Sequence, residues 1–484
     1  MYEVALVFST VSFIAILAIY IKHPSFNIYN PLTFYCAFHA FIFIVRPAIA
    51  FYMGFDRVYL YYQFNPSDSD KITVIYASNL GFIFFAICCM LASRCKMSFK
   101  SDAVTLAERR KLKPLFFVAC LFCVPIGVYS LATAWSSAAT TGEAFSGMVR
   151  DAASRITINV NTNGYFVEAQ LMLATCAAII AWLFRFRLLS LVPILTFVVF
   201  RAGTGGRGPF VTALASIGLI YLYDRRRTFP HVWTFALVPA LLLIFQLVGD
   251  DRGAAIRSFV GGDSGSQIFK KNRATERPLE VMDFANMEFF EYAVYVVPQR
   301  SGTYSYFTGT LQILTEPIPR VLWKNKPIGP PIQRINMFDY GNPIGMSGSL
   351  PGEGWISFGW LGVIIWCGGW GYALGTIYRK YVESEQSTLQ TVMYMTFIPI
   401  LIVAYRDGSI VTIARQGIFF FAPIYLWWAI ARFMRVPSLK NVRLARARDK
   451  GGSATHRTSV QENELKPVPA AVQRRRAALS KEAR

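Results

Sequence analysis

Charge is what this sequence has least of. Only 16% of its 484 residues are Asp, Glu, Lys or Arg, where a soluble domain carries roughly a quarter. Against 54% hydrophobic and 15% aromatic residues, that shortage argues against a water-soluble enzyme. Histidine is nearly absent: His23, His39, His231 and His456 all fall in segments that read as cytoplasmic or membrane-embedded. None lies in the one long stretch of mixed polarity, 249–354, so no histidine-dependent catalyst or metal site is expected on the outer side. The eight cysteines (Cys36, Cys88, Cys89, Cys95, Cys120, Cys123, Cys176 and Cys367) lie in or beside apolar segments. No disulfide framework is expected in the long stretch, and no spacing suggests a zinc site; packed thiols are the default. The start, Met-Tyr-Glu, lacks the basic region of a signal peptide, so the apolar run 4–21 reads as a spanning helix. There is no internal repeat.

What remains is a series of apolar runs approaching ~20 residues, the length that crosses a bilayer as helix. They fall at 4–21, 32–51, 72–92, 114–135, 165–184, 188–200, 209–223, 230–248, 355–378, 389–405 and 410–431. The fold class is an all-α polytopic membrane protein with about eleven transmembrane helices and one long, partly helical outer loop. The sixth run has 13 residues, roughly 20 Å of helix against a core of ~30 Å. Either it borrows its flanks or the following loop dips into the membrane. The net charge of +21 does not point to nucleic acid. Fourteen Lys and Arg lie in 432–484 and seven in 94–113, the pattern of cytoplasmic loops touching lipid headgroups. This places the N-terminus outside and the C-terminus inside. Four regions follow: helices one to eight in 1–248, a capping outer loop in 249–354, helices nine to eleven in 355–431, and a basic disordered tail in 432–484.

Several constellations can carry chemistry. The loop Arg201-Ala-Gly-Thr-Gly-Gly-Arg207-Gly offers open backbone, a helix start and two cations, an anion site by construction; tight packing through glycine is the alternative. Its G-x-G-x-x-G spacing alone is weak. Asp224 sits near the distance of a dinucleotide fingerprint, but there is no parallel sheet to hold one. Ile318-Pro-Arg320 and Trp323-Lys-Asn-Lys326-Pro set cations among prolines beside a Trp. Arg grips phosphate bidentately and Lys acts as a point charge, and Trp323 can face a sugar; a headgroup-level rim is the alternative. Glu353, between two glycines, can serve as a general base if it reaches a hydroxyl, or simply complement a helix dipole. Arg406 can pair with Asp407. Arg415, inside the last helix, needs a partner if buried. Arg46 either faces a cavity or snorkels outward. Arg150 and Arg155 in the loop 136–164 either contact an anion or are solvated.

Together, Thr-Gly-Gly-Arg-Gly before a helix, Ile-Pro-Arg…Trp…Lys-Pro at the end of a long outer loop, Gly-Glu-Gly-Trp…Phe-Gly-x-x-Gly and a late Arg-x-Gly turn resemble the bacterial oligosaccharide repeat-unit polymerases of the O-antigen polymerase (Wzy) type, over 201–417. The resemblance implies a GT-C-like glycosyltransferase in the inner membrane. Arginines can stabilise a departing diphosphate without a divalent metal, and the sequence offers no carboxylate cluster to hold one, so a metal-independent enzyme needing no cofactor is expected. Its substrate would be oligosaccharide on undecaprenyl diphosphate at the periplasmic face. By position, Arg207, Arg320 and Arg406 would hold the diphosphate. The residues themselves add Arg201, Arg252, Lys326, Arg415 and Trp323 as substrate-binding groups and Glu353 as base. Membrane lipids, a chain-length regulator and a flippase are the implied partners. The related O-antigen ligases use an outer-loop histidine, which this chain lacks. A transporter or flippase of the same lipid-linked sugar, an O-antigen ligase, or a structural export subunit are the rival readings.

Overall fold

The computed structural model describes residues 1–99, 102–141, 148–150, 157–159, 168–204, 208–236, 256–258, 279–280, 282–318, 322–323, 325–327, 329–343 and 345–435. Arg155, Arg207, Arg252, Arg320, most of the expected span 230–248 and the tail beyond 435 lie outside the described residues.

Seven helices are long and apolar enough to cross a bilayer: α1 (Tyr2–Ile21), α2 (Pro31–Met53), α4 (Asp68–Ala92), α5 (Asp102–Thr141), α10 (Leu350–Glu383), α11 (Thr388–Asp407) and α12 (Ile410–Phe433). Between them lie the short α3 (Arg57–Tyr62), the shorter apolar α6 (Leu171–Leu183), α7 (Leu188–Gly203) and α8 (Gly208–Asp224), and α9 (Asn286–Val296) within the long loop. The chain is thus a multi-pass helical membrane protein. Its only strands among the described residues, β1 (Met148–Arg150) and β2 (Thr157–Asn159), form a two-stranded antiparallel ladder in which Val149 faces Ile158. Arg150 therefore sits on a paired strand rather than in irregular loop.

The sequence fixes most helix ends locally. Asn30 accepts the Leu32 N–H at 2.9 Å ahead of Pro31, and a first-turn proline has no N–H to leave unsatisfied. Ser67 and Asp70 form a reciprocal capping box that starts α4 four residues before the apolar run. Within α2 the residues Ala40–Val45 are π-helical, just ahead of Pro47, whose missing N–H breaks the regular ladder. Helix α5 is far longer than the expected 114–135 and takes in the basic segment 109–113. Arg109 is buried, ion-pairs with Asp224 and lies 4.3 Å from the Trp182 ring. Part of that basic run is thus an internal partner rather than a headgroup contact, and this is the use made of Asp224.

Two apolar cores organise the spans. In the first, α4 and α10 pack closest, alongside α1, α2 and α11. A Cβ at Gly375 would lie 2.5 Å from the Cys89 carbonyl, and one at Gly371 would overlap that of Phe85. Small residues four apart let membrane helices approach this closely. The second core joins α5, α6, α7, α8 and α12 around Leu131, Leu171, Ile194, Phe197 and Phe420.

Helix α10 departs from the expectation that a loop leads straight into a span at 355. The segment 350–357 is already helical, and the chain turns at Phe358 (φ −161°, ψ 31°) and Gly359 (φ 60°, ψ −140°), the latter a conformation that glycine adopts without a Cβ clash. In a straight helix, residues eight apart are about 12 Å apart. Here a Cβ on Gly354 would sit 2.8 Å from the Gly362 carbonyl, so the short arm folds back on the long arm 360–383. The carbonyls of Ile356 and Ser357 accept the N–H groups of Ser305 and Tyr306, each at 2.9 Å.

The long loop is folded where described. Nearly every residue of α9 is buried, packed against Val58, Tyr62 and Phe64 of the 54–67 connection. It carries Glu288, whose carboxylate meets Nη1 of Arg46 at 2.5 and 2.6 Å, while Arg46 Nε donates to the Leu279 carbonyl. Arg46 therefore neither lines an open cavity nor snorkels; it is fully buried and ties α2 to the loop.

Candidate functional site

The site is assembled where α7 ends, α6 begins, α11 turns into α12 and the short arm of α10 starts. The short sixth run gains length by keeping Arg201, Ala202 and Gly203 helical, so Arg201 occupies the last turn. There it is buried, and its Nη1 donates to Gln170 Oε1 at 2.9 Å. Arg257, from the long loop, is also buried and donates to the Gly203 carbonyl at 2.6 Å. Glu168, just before α6, acts electrostatically on Arg201 and lies 3.8 Å from Nη2 of Arg415.

Arg415 is the centre of this arrangement. In the second turn of α12, it faces Glu168 on one side and Glu316 on the other, the latter at 4.0 Å from Nη1. Both separations exceed a hydrogen bond, and its Nε has no hydrogen-bond partner among the described residues. The side chain is 40% exposed. It is a guanidinium suspended between two carboxylates without closing on either.

The turn Arg406-Asp407-Gly408 completes the wall. Its backbone is held firmly: the Arg406 carbonyl accepts from Ser349 N–H and Asn286 Nδ2, both at 2.8 Å, and the Gly408 carbonyl accepts from Trp366 Nε1 at 3.2 Å. Gly408 (φ 70°) abuts the Ser349 carbonyl so closely that no Cβ fits. Asp407 feels both Arg406 and Arg415 and bonds Ser347, so the simple Arg406–Asp407 pair is part of a larger group. Glu353, in the first turn of the short arm, lies against this turn. Its Cβ is 3.0 Å from the position a Gly408 Cβ would take, and its Oε1 is 3.5 Å from that of Gly309. Glycines thus surround a partly buried carboxylate.

Lys326 sits at the edge. Its Nζ donates to the carbonyls of Glu316 and Ile318, each at 3.1 Å, and so braces the segment that presents Glu316. Trp323 is half-buried, and its carbonyl accepts the Lys326 N–H at 3.1 Å; among the described residues its ring meets no other ring. Of the expected residues, Arg201, Arg406, Arg415, Glu353 and, at the rim, Lys326 are brought to one end of the bundle. Arg207, Arg252 and Arg320 lie outside the described residues. Sequence reasoning passed over Arg257, Glu168 and Glu316. Glu168 did carry a signal, as a carboxylate inside an apolar run; Arg257 carried none.

No family model, no curated protein and no solved structure matches the chain.

What the group can do follows from its charges. Arg201, Arg257, Arg406, Arg415 and Lys326 alternate with Glu168, Glu316, Asp407 and Glu353. An anion that displaced the two distant carboxylates from Arg415 would gain bidentate, charge-assisted hydrogen bonds. In a poorly hydrated setting such preorganised cations stabilise charge as it develops. A carboxylate at the same spot provides a proton acceptor.

Proposed function

We propose that this protein is a polysaccharide polymerase, a membrane-embedded glycosyltransferase of the GT-C kind. It joins undecaprenyl-diphosphate-linked oligosaccharide repeat units at the periplasmic face of the bacterial inner membrane. On this reading the spans number eleven, with the N-terminus periplasmic and the C-terminus cytoplasmic. The observation that carries it is the gathering of Arg201, Arg257 and Arg415 about the ends of α6 and α7, with the Arg406 turn, against which Glu353 lies, at the same end of the bundle where the long loop packs. This is a different end from the Arg109–Asp224 pair at the basic loops.

The chemistry is a displacement at the anomeric carbon of the growing chain. A hydroxyl of the incoming lipid-linked unit forms the new glycosidic bond, and its proton passes to Glu353. The bond from the anomeric carbon to the diphosphate oxygen breaks, and the electron pair leaves with the lipid diphosphate. Arg415, with Arg201, Arg406 and the expected Arg207 and Arg320, stabilises that growing negative charge, usually the largest catalytic term.

The test is elongation by purified protein supplied with lipid-linked repeats. Products of several repeats, and accumulation of single lipid-linked repeats in a deletion strain, are expected. Translocation of lipid-linked units across vesicles without coupling would replace this reading with a transporter; transfer to lipid A core would replace it with a ligase.

A further inference from the structure

An aromatic strip leads away from Glu353 and takes no part in the chemistry described above. The segment 304–309 runs beside the short arm of α10, from its end back to its start. At one end Gly309 borders the Glu353 carboxylate. At the other, Ser305 and Tyr306 are tied to the last carbonyls of the arm, and the Ser305 and Ser357 hydroxyls lie 3.5 Å apart. Tyr304, Tyr306 and Phe358 form one ring cluster there, with centroid separations of 5.7 to 6.3 Å. The Arg334 guanidinium stands 5.2 Å from the Tyr306 ring. Between the two ends, Phe307 packs on Trp366, which donates to the Gly408 carbonyl of the charged site.

Two features separate this strip from ordinary core packing. Tyr306 is 45% exposed and Phe358 is 40% exposed, although both belong to a packed cluster. Tyr306 and Phe307 are also consecutive residues in the left-handed backbone region, at φ 51° and 59°. Bulky residues adopt it only when their surroundings impose it. Here it turns the Tyr306 ring toward Phe358 while Phe307 goes to Trp366.

We infer that this strip is the subsite for a sugar of the acceptor oligosaccharide, with the ring faces taking the sugar's C–H face and Arg334, Ser305 and the tyrosine hydroxyls taking its hydroxyls. The inference rests on the polymerase reading and extends it by saying where the acceptor lies. The chemical case for a sugar is the mixture. A pyranose has one apolar face and a polar rim, and amphipathic aromatic side chains match that combination. An acyl chain would leave the arginine and hydroxyls unused. The direction also fits: a chain on the strip reaches its terminal hydroxyl toward Glu353, since one continuous segment, 304–309, borders both.

The test uses the full-length protein in detergent and two probes. These are undecaprenyl diphosphate, and the lipid-free repeat oligosaccharide released by mild acid from the producing strain's polysaccharide. Tyr306→Leu and Phe358→Leu are expected to weaken oligosaccharide binding about tenfold, the effect of losing a ring stack, and to leave undecaprenyl diphosphate binding and the melting temperature unchanged. Tyr306→Phe, which keeps the ring but loses a hydroxyl assigned to the sugar, should bind more weakly than wild type and more tightly than Tyr306→Leu. Oligosaccharide affinity unchanged in both leucine variants overturns the inference while the polymerase reading stands. A change confined to the phospholipid retained by the purified protein also overturns it and makes the strip a membrane-interface belt. Ring-dependent oligosaccharide binding by a wild-type protein that elongates nothing would instead keep the subsite and remove the polymerase.

Discussion

Two of the arginines on membrane helices have opposite surroundings. Arg46 is fully buried and its guanidinium is closed on Glu288 at 2.5 Å. Arg415 is 40% exposed and stays 3.8 and 4.0 Å from Glu168 and Glu316. The first fastens α9 to α2. That helix in turn holds the Arg406 turn through Asn286. The second has both neighbouring carboxylates beyond hydrogen-bond distance. A charge inside a membrane protein is expensive and is retained for a reason. The contrast fits architecture in the first case and, on the proposed function, substrate in the second; the closure of the ion pair distinguishes them where residue type does not.

The comparison breaks most visibly at Arg46. Removing one partner of a buried ion pair costs about 3–5 kcal/mol, because the other charge is left uncompensated. Arg46→Ala is expected to lower the thermal stability of the detergent-purified protein sharply, or to abolish its recovery. Arg46→Met combined with Glu288→Leu should restore most of it. A stable, normally melting Arg46→Ala protein would show the pair to be dispensable. Arg415→Ala should do the reverse, with melting unchanged and elongation of lipid-linked repeats reduced by about 10²–10³-fold, the effect of losing one preorganised donor. Arg415→Lys keeps the charge but not the bidentate fork, and its elongation rate should fall between wild type and the alanine variant.

A smaller effect concerns pH. Glu291, next to Glu288 on α9, is buried and accepts from the Tyr59 hydroxyl at 2.6 Å. Burial, reinforced by the Glu288 charge, raises its pKa from 4.5 to about 8. The folded state then holds a proton that the unfolded chain has lost between those two values. Stability from this group is present below the unfolded value and declines as pH rises toward 8. Glu291→Gln should flatten that decline in melting temperature measured across pH 5 to 9; an unchanged slope would assign the dependence to other groups.

Seven of the expected spans were legible in the sequence because apolar runs of bilayer length have few other uses. The site was legible only in parts. Arg201, Arg406, Arg415 and Glu353 stood out as charges at span ends, but nothing in the chain said that Glu168 and Glu316 would flank Arg415 from elements far apart in sequence. Glu288 lies 242 residues from Arg46, beyond the reach of any local pattern. The fold-back at Phe358 and Gly359 was hidden because Trp-Ile-Ser-Phe continues the apolar run without a break. Helix α5 exceeded its apolar stretch because Arg109 found Asp224 and could stay helical inside the protein.

The central claim is that Arg415, with the arginines around it, takes the diphosphate of the lipid carrier. Its most direct test is equilibrium binding of undecaprenyl diphosphate to the purified wild-type protein and to Arg415→Ala at equal folded concentration. The account predicts that affinity falls at least about tenfold, the scale of one lost charge-assisted contact, with no change in melting temperature. Equal affinity in the two proteins would contradict it.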